Sequence, residues 1–164
     1  MFRIGIIGAG WIAHKMTLAL GYTDEASVYA IASRSEDKAR SFAEEHGIPM
    51  AYGSYEAMLD DPEVDLVYIA TPHSHHFAHA MLALEHGKPV LVEKAFTANA
   101  KEAKILIDTA RNKGLFITEA IWTRYMPLSH KIREIMDSGI IGEPRIITAT
   151  LCYMMEHKER IVKP

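Results

Sequence analysis

Lys94 lies in Val92-Glu93-Lys94-Ala95-Phe96, directly after a short apolar run. A lysine in such a place can hydrogen-bond a substrate hydroxyl or carbonyl and assist proton transfer while hydride moves to or from a carbon. Upstream, Gly8-Ala9-Gly10-Trp11-Ile12-Ala13 forms G-x-G-x-x-A between the first apolar run and the first helical segment. There Gly8 allows a tight turn, Gly10 lets the backbone approach a pyrophosphate, and Ala13 lets helix and strand pack closely. The pyrophosphate then sits on the free N–H groups of the helix N-terminus. About twenty residues on, where an acidic side chain would hold a ribose 2′-hydroxyl, the chain reads Ala32-Ser33-Arg34-Ser35. A hydroxyl beside a guanidinium suits a 2′-phosphate, so NADP(H) is favoured over NAD(H), with Lys38 as a second positive charge. The plainer alternatives are a glycine turn without a ligand and a solvated Arg34.

Histidines and a cysteine invite other chemistry. In Ala70-Thr71-Pro72-His73-Ser74-His75-His76, followed by His79, the pair His75 and His79 are four apart and can share a helical face. No Glu accompanies them in a metalloprotease pattern, and the expectation is no metal. Cys152 is the only cysteine, which rules out an internal disulfide, and in an apolar run it reads as packing.

The elements that must position these residues follow from periodicity. Short apolar runs alternate with segments of helical period, the pattern of βα units on a parallel sheet. Six strands are expected: 3–7, 27–32, 49–52, 64–70, 90–93 and 115–119. Helices are expected over 11–20, 36–46 with Ser35 as cap and Gly47 as stop, 54–59, 74–86, 99–113 and 126–137. A longer strand-like run, Pro144–Tyr153, does not fit another βα unit. The fold class is α/β, a doubly wound parallel sheet of Rossmann type, followed by the start of a second α+β domain. The boundary falls between residues 1–121 and 122–164. The carboxyl ends of the strands then bring Thr71, Pro72, Glu93 and Lys94 to the same cleft as the glycine turn.

Composition narrows the classes. With 49% apolar and 24% charged residues the chain is expected to pack a core. A net charge of -3 gives no footprint for nucleic acid, and no run is long enough to suggest a membrane partner. The single cysteine fits a reducing compartment, and the cytoplasm is the default.

Taken together, the glycine turn, Ala-Ser-Arg, Ala-Thr-Pro with a following His, and Glu-Lys followed by Asn99-Ala100 and Glu102-Ala103 resemble the Gfo/Idh/MocA oxidoreductase family. The run Glu119-Ala120-Ile121-Trp122-Thr123-Arg124-Tyr125-Met126-Pro127 looks most like its dimeric dihydrodiol dehydrogenase branch. The resemblance implies that Gly8, Gly10, Trp11 and Ile12 cradle the pyrophosphate, and that Ser33, Arg34 and Lys38 hold the 2′-phosphate. It further implies that Thr71, His75, Glu93, Trp122 and Arg124 line the path from adenosine to nicotinamide, with Lys94 the catalytic lysine. The implied activity is NADP-dependent oxidation or reduction at a CH–OH or carbonyl carbon of a sugar, polyol or dihydrodiol-like substrate. The full-length protein would be a homo-oligomer. The family usually has Glu-Lys-Pro; Ala95 in place of the proline is expected to loosen the turn after Lys94. The family's second motif, with an acid/base His or Tyr, belongs after the region of Arg160-Ile161, where the chain ends. A non-catalytic dinucleotide-binding module or regulator on the same fold is the alternative.

Overall fold

Ile4, Ile6 and Ile7 are each at most 6% exposed, so side chains pointing to opposite faces of one strand are all buried. Such a strand needs helices on both sides, which is the condition a parallel βα sheet meets. The computed structural model describes residues 1–152 and contains that sheet. Its strands are β1 (Phe2–Ile7), β2 (Ala26–Ala32), β3 (Met50–Tyr52), β4 (Leu66–Ile69), β5 (Val90–Val92) and β6 (Ile117–Glu119). All neighbours are parallel and the spatial order is β3-β2-β1-β4-β5-β6. The order reverses between β1 and β4, the place where such sheets open a crevice at their carboxyl ends.

The helices are α1 (Trp11–Leu20), α2 (Glu36–His46), α3 (Tyr55–Leu59), α4 (His76–Glu85), α5 (Ala100–Lys113) and α6 (Pro127–Asp137). Local chemistry sets their ends: Ser35, Ser54 and Asn99 accept backbone N–H groups in the first turns of α2, α3 and α5, and Gly47 and Gly114 close α2 and α5. On one face Ile4, Ile6, Ile31 and Tyr68 meet Ala13, Ala39 and Phe42 of α1 and α2. On the other, Ile7, Val67, Ile69 and Val92 meet Met58 and Leu59 of α3, Ala80 and Leu84 of α4, and Leu106 of α5. Arg3 fastens the amino end of β1 to the segment before β4: its N–H lies 2.8 Å from Asp65 Oδ2, and its guanidinium pairs with Glu63. These bonds hold the Asp65 carboxyl below its ordinary pKa.

Two expected elements differ. The helix foreseen from residue 74 begins as a 3-10 turn, His73–His75, because Pro72 precedes it in an extended conformation, and α4 starts at His76. Pro144–Tyr153 was expected as a strand, but residues 144–152 pair with no neighbour among the described residues, and a strand without a partner has no ladder to stabilise it. Tyr153 lies outside the described residues. Cys152, expected to pack, is exposed.

The chain divides into two compact units, Met1–Ile121 and a second that begins at Trp122. The second contains a 3-10 turn, Trp122–Tyr125, and α6, which opens on Pro127. Ile132, Ile135, Met136, Ile141, Pro144, Ile146 and Ile147 line an open apolar groove of about 260 Å³ there.

At the β1–β4 junction, Gly8 has φ +104°, and a Cβ placed on it would stand 3.0 Å from the Ala70 carbonyl oxygen and from Thr71 Cγ2. Backbone on one side leaves no flexible group to yield. Gly8→Ala is expected to cost about 1–3 kcal/mol, read as a lower urea midpoint at unchanged slope.

Candidate functional site

The carboxyl edge of the sheet gathers four loops, those after β1, β2, β4 and β5. After β1, Gly10 precedes α1 in an extended conformation, and the first helical bond runs from His14 N–H to Gly10 C=O at 3.1 Å. The N–H groups of the opening turn therefore have no carbonyl within the helix. A Cβ on Gly10 would meet no described atom within 4 Å, unlike Gly8, so the space above this helix end is open. That gap and those N–H groups fit a pyrophosphate. Trp11 stands 64% exposed at the mouth, and Ile12 packs partly against the core below.

After β2, Ser33 N–H bonds the Tyr52 carbonyl of β3 at 3.1 Å, and Ser33 Oγ accepts from Ser35 N–H at 3.3 Å. Ser35 Oγ in turn accepts from Lys38 N–H. This bonded turn presents the exposed Arg34 and Lys38 at the strand's end. Arg34 faces Tyr55, whose phenol is pushed above its ordinary pKa by burial, against the opposing effect of the guanidinium. The Tyr55 ring meets the His79 ring edge-on at 4.8 Å.

After β4, Thr71 is buried and its Oγ1 lies 3.0 Å from His79 Nδ1. Burial, followed by the charges of His75, Arg34 and His76, lowers the His79 pKa to about 4. His79 is therefore a neutral hydrogen-bonding ring at neutral pH. His75 does share a face with it, the rings stacking at 5.5 Å, but His79 Nδ1 is committed to Thr71. Pro72 and His75 are exposed on the turn.

After β5, Glu93 is held by Tyr68 Oη, which donates to Oε1 at 2.6 Å, and by Lys94 N–H, which donates to Oε2 at 3.0 Å. Burial and the carboxylate push the Tyr68 phenol well above its ordinary pKa, so it keeps the proton it donates. Lys94 is exposed, and the Lys94–Ala95 peptide is cis. The turn expected to loosen without proline is bonded on both sides: Phe96 N–H donates to Glu119 Oε1 at 2.7 Å, and His76 Nδ1 lies 2.7 Å from the Ala95 carbonyl oxygen.

The sequence reading considered His76 only as a metal neighbour and missed its place in the site. It is fully buried, with Nε2 2.9 Å from the Thr71 carbonyl oxygen, so one ring bridges the loops after β4 and β5. A third histidine in four residues was the only local signal; both partners are backbone atoms brought near by the sheet. The structure thus places Gly8, Gly10, Trp11, Ile12, Ser33, Arg34, Lys38, Thr71, Pro72, His75, Glu93 and Lys94 on the loops and first helical turns at one sheet edge. Trp122, 56% exposed, and Arg124 belong to the second unit.

Among the described residues no helix is long and apolar enough to cross a membrane. The model of the oxidoreductase family with the NAD-binding Rossmann fold matches residues 2–120. Trans-1,2-dihydrobenzene-1,2-diol dehydrogenase of Homo sapiens is 40% identical over 162 residues, which are 98% of this chain and 48% of that protein. The D-xylose 1-dehydrogenase (NADP(+)) of Hypocrea jecorina is 62% identical over 91 residues, 56% of this chain and 23% of the relative. Among solved structures, a 3-ketoreductase from Actinomadura kijaniata in complex with NADP superposes with TM-score 0.77 at 35% identity, covering 87% of this chain and 45% of that one. The chain spans about half the length of the dihydrodiol dehydrogenases it matches.

Two measurements check this geometry. In an NMR titration the His79 ring is expected to change charge near pH 4 rather than 6.5. Between those values the unfolded chain binds a proton that the folded chain refuses, so stability falls as pH drops through this window, and His79→Gln flattens the slope. Replacing the buried ring with His76→Ala removes the one N–H that a neutral imidazole can donate to the Thr71 or Ala95 carbonyl, together with its packing, and is expected to cost about 1–3 kcal/mol in urea unfolding.

Proposed function

The chain belongs to the Gfo/Idh/MocA oxidoreductase family, and from that membership we propose that it is the nucleotide-binding part of an NADP-dependent oxidoreductase. Its substrate would carry a CH–OH or carbonyl group on a sugar, polyol or dihydrodiol-like compound. Residues 1–121 form the nucleotide domain in this reading, and residues 122–164 begin the substrate and dimerisation domain.

The observation that carries the NADP reading is the end of β2. A carboxylate there would accept from a ribose hydroxyl and repel a phosphate; instead Ser33 and the exposed Arg34 stand at the turn, with Lys38 one helical turn on. The neutral His79 adds no charge of its own near Arg34, and Tyr55 gives the guanidinium a flank. The relative from Hypocrea jecorina is named for NADP(+), and the structure from Actinomadura kijaniata holds NADP, which supports the same choice.

Bound in the crevice, the nicotinamide would supply hydride transfer at its C4. The protein's own contribution is placement. Gly8 shapes the turn, Gly10 leaves room for the pyrophosphate with Trp11 and Ile12 beside it, and the α1 N–H groups receive its charge. Thr71, Pro72 and His75 form one wall from the β4 loop and Glu93 a second from the β5 loop. Lys94 donates a hydrogen bond to the substrate oxygen and passes or takes a proton at Nζ as hydride moves. The family resemblance alone assigns Trp122 and Arg124 to the cofactor.

The test is a titration of the purified chain with NADPH and, separately, NADH, followed by Trp fluorescence. NADPH should bind tighter, and Arg34→Ala should remove roughly 10- to 100-fold of that preference, the worth of a charge-assisted hydrogen bond to phosphate. Gly10→Val should weaken both nucleotides while leaving the urea midpoint nearly unchanged, because its Cβ meets no described atom. Equal affinity for the two nucleotides in the parent chain would overturn the NADP assignment.

A further inference from the structure

The geometry points to a transition-metal site on the outer side of the sheet, formed by His14, Glu45 and His46 and suited to Zn²⁺. His14 lies on α1 and the other two end α2, the helices that cover one sheet face. His14 Nδ1 is 3.0 Å from His46 Nε2, and Glu45 Oε1 stands 3.8 Å from the first and 3.6 Å from the second. A triangle with these three sides has its centre about 2.0 Å from every corner. Zinc binds imidazole nitrogen at about 2.0–2.1 Å and carboxylate oxygen at about 2.0–2.2 Å. One ion therefore reaches all three atoms from close to their plane, and a shift of a few tenths of an ångström, chiefly of the exposed Glu45, brings them to zinc's tetrahedral arrangement with water in the fourth position. Two imidazoles and a carboxylate are also the donor types zinc prefers over the hard oxygen sets of Mg²⁺ or Ca²⁺.

A hydrogen bond between the two rings explains the 3.0 Å separation and nothing more. It does not explain the carboxylate, which stands midway between both nitrogens and beyond hydrogen-bond reach of either. Nor do successive helix positions ordinarily aim at one point, since they diverge by about 100° around the axis. Glu45 and His46 nevertheless converge on His14. The His46 side chain is 7% exposed and fixed against Phe42, ring centroids 4.5 Å apart, whereas Glu45 is 63% exposed and open to water. The site is thus anchored on one side and accessible on the other. No metal was expected from the sequence, where His75 and His79 were the pair weighed; His14 and His46 are 32 residues apart and meet only through the packing of α1 on α2.

An ion here would tie the first turns of α1, whose amino end faces the crevice, to the carboxyl end of α2. The test uses the purified, metal-stripped chain titrated with Zn²⁺ at neutral pH against a chromophoric chelator. One ion per chain is expected. His14→Ala should weaken binding by about 100-fold or more, and Glu45→Gln, at an exposed position that leaves the fold intact, by about tenfold. Zn²⁺ should also raise the thermal midpoint of the parent chain and not of His14→Ala. Zinc binding that survives His14→Ala belongs to other side chains and would sink the proposal, as would no binding by the parent chain.

Discussion

The rest of the molecule depends on how closely the end of β1 approaches the end of β4. Gly8 passes the Ala70 carbonyl and the Thr71 methyl with no room for a side chain, and that approach sets where both neighbouring loops leave the sheet. The glycine turn rises on one side to free the α1 N–H groups. The Thr-Pro turn leaves on the other and delivers His76 beneath the β5 loop. Residue types on these loops would have no common focus if the two strands stood farther apart.

Around that junction the site is held largely through main-chain atoms. His76 faces two carbonyls, Glu93 takes the Lys94 N–H, and Glu119 takes the Phe96 N–H. The exposed side chains that could contact ligand, Arg34, Lys38 and Lys94, project from turns whose backbones are already bonded. This is the division a binding site requires: supporting groups locked by packing, and reaching groups free to meet a charge. Burial acts on the supporting groups in the same sense: it raises the Tyr68 phenol, which donates to the Glu93 carboxylate, and lowers His79, which is left a neutral hydrogen-bonding ring.

The sheet and most helix ends were legible in the sequence because their signals are local. Ser35, Ser54 and Asn99 announce helix starts within three residues of the groups they cap, and the Ile-rich first run declares burial on both faces. The glycine turn was legible because a strand precedes it and a helix follows. What escaped depends on distance along the chain. His76 works on carbonyls 5 and 19 residues away, His14 meets His46 across 32, and Tyr55 comes beside Arg34 only once α3 packs under β2. The unpaired run after Pro144 has the opposite cause: its apolar pattern is local, but a strand forms only where another offers its edge, and the described residues hold none for it.

The pairing of β1 with β4 also bears on how the chain is made. Ile4 lies beside Leu66 and Arg3 bonds Asp65, so once made the central strand waits for about sixty further residues before its second neighbour exists. In that interval β2 and β3 can assemble on one side, while the other edge of β1 stands as an open row of amide and carbonyl groups flanked by isoleucines. Translation at about 5–20 residues per second leaves that edge unfilled for seconds.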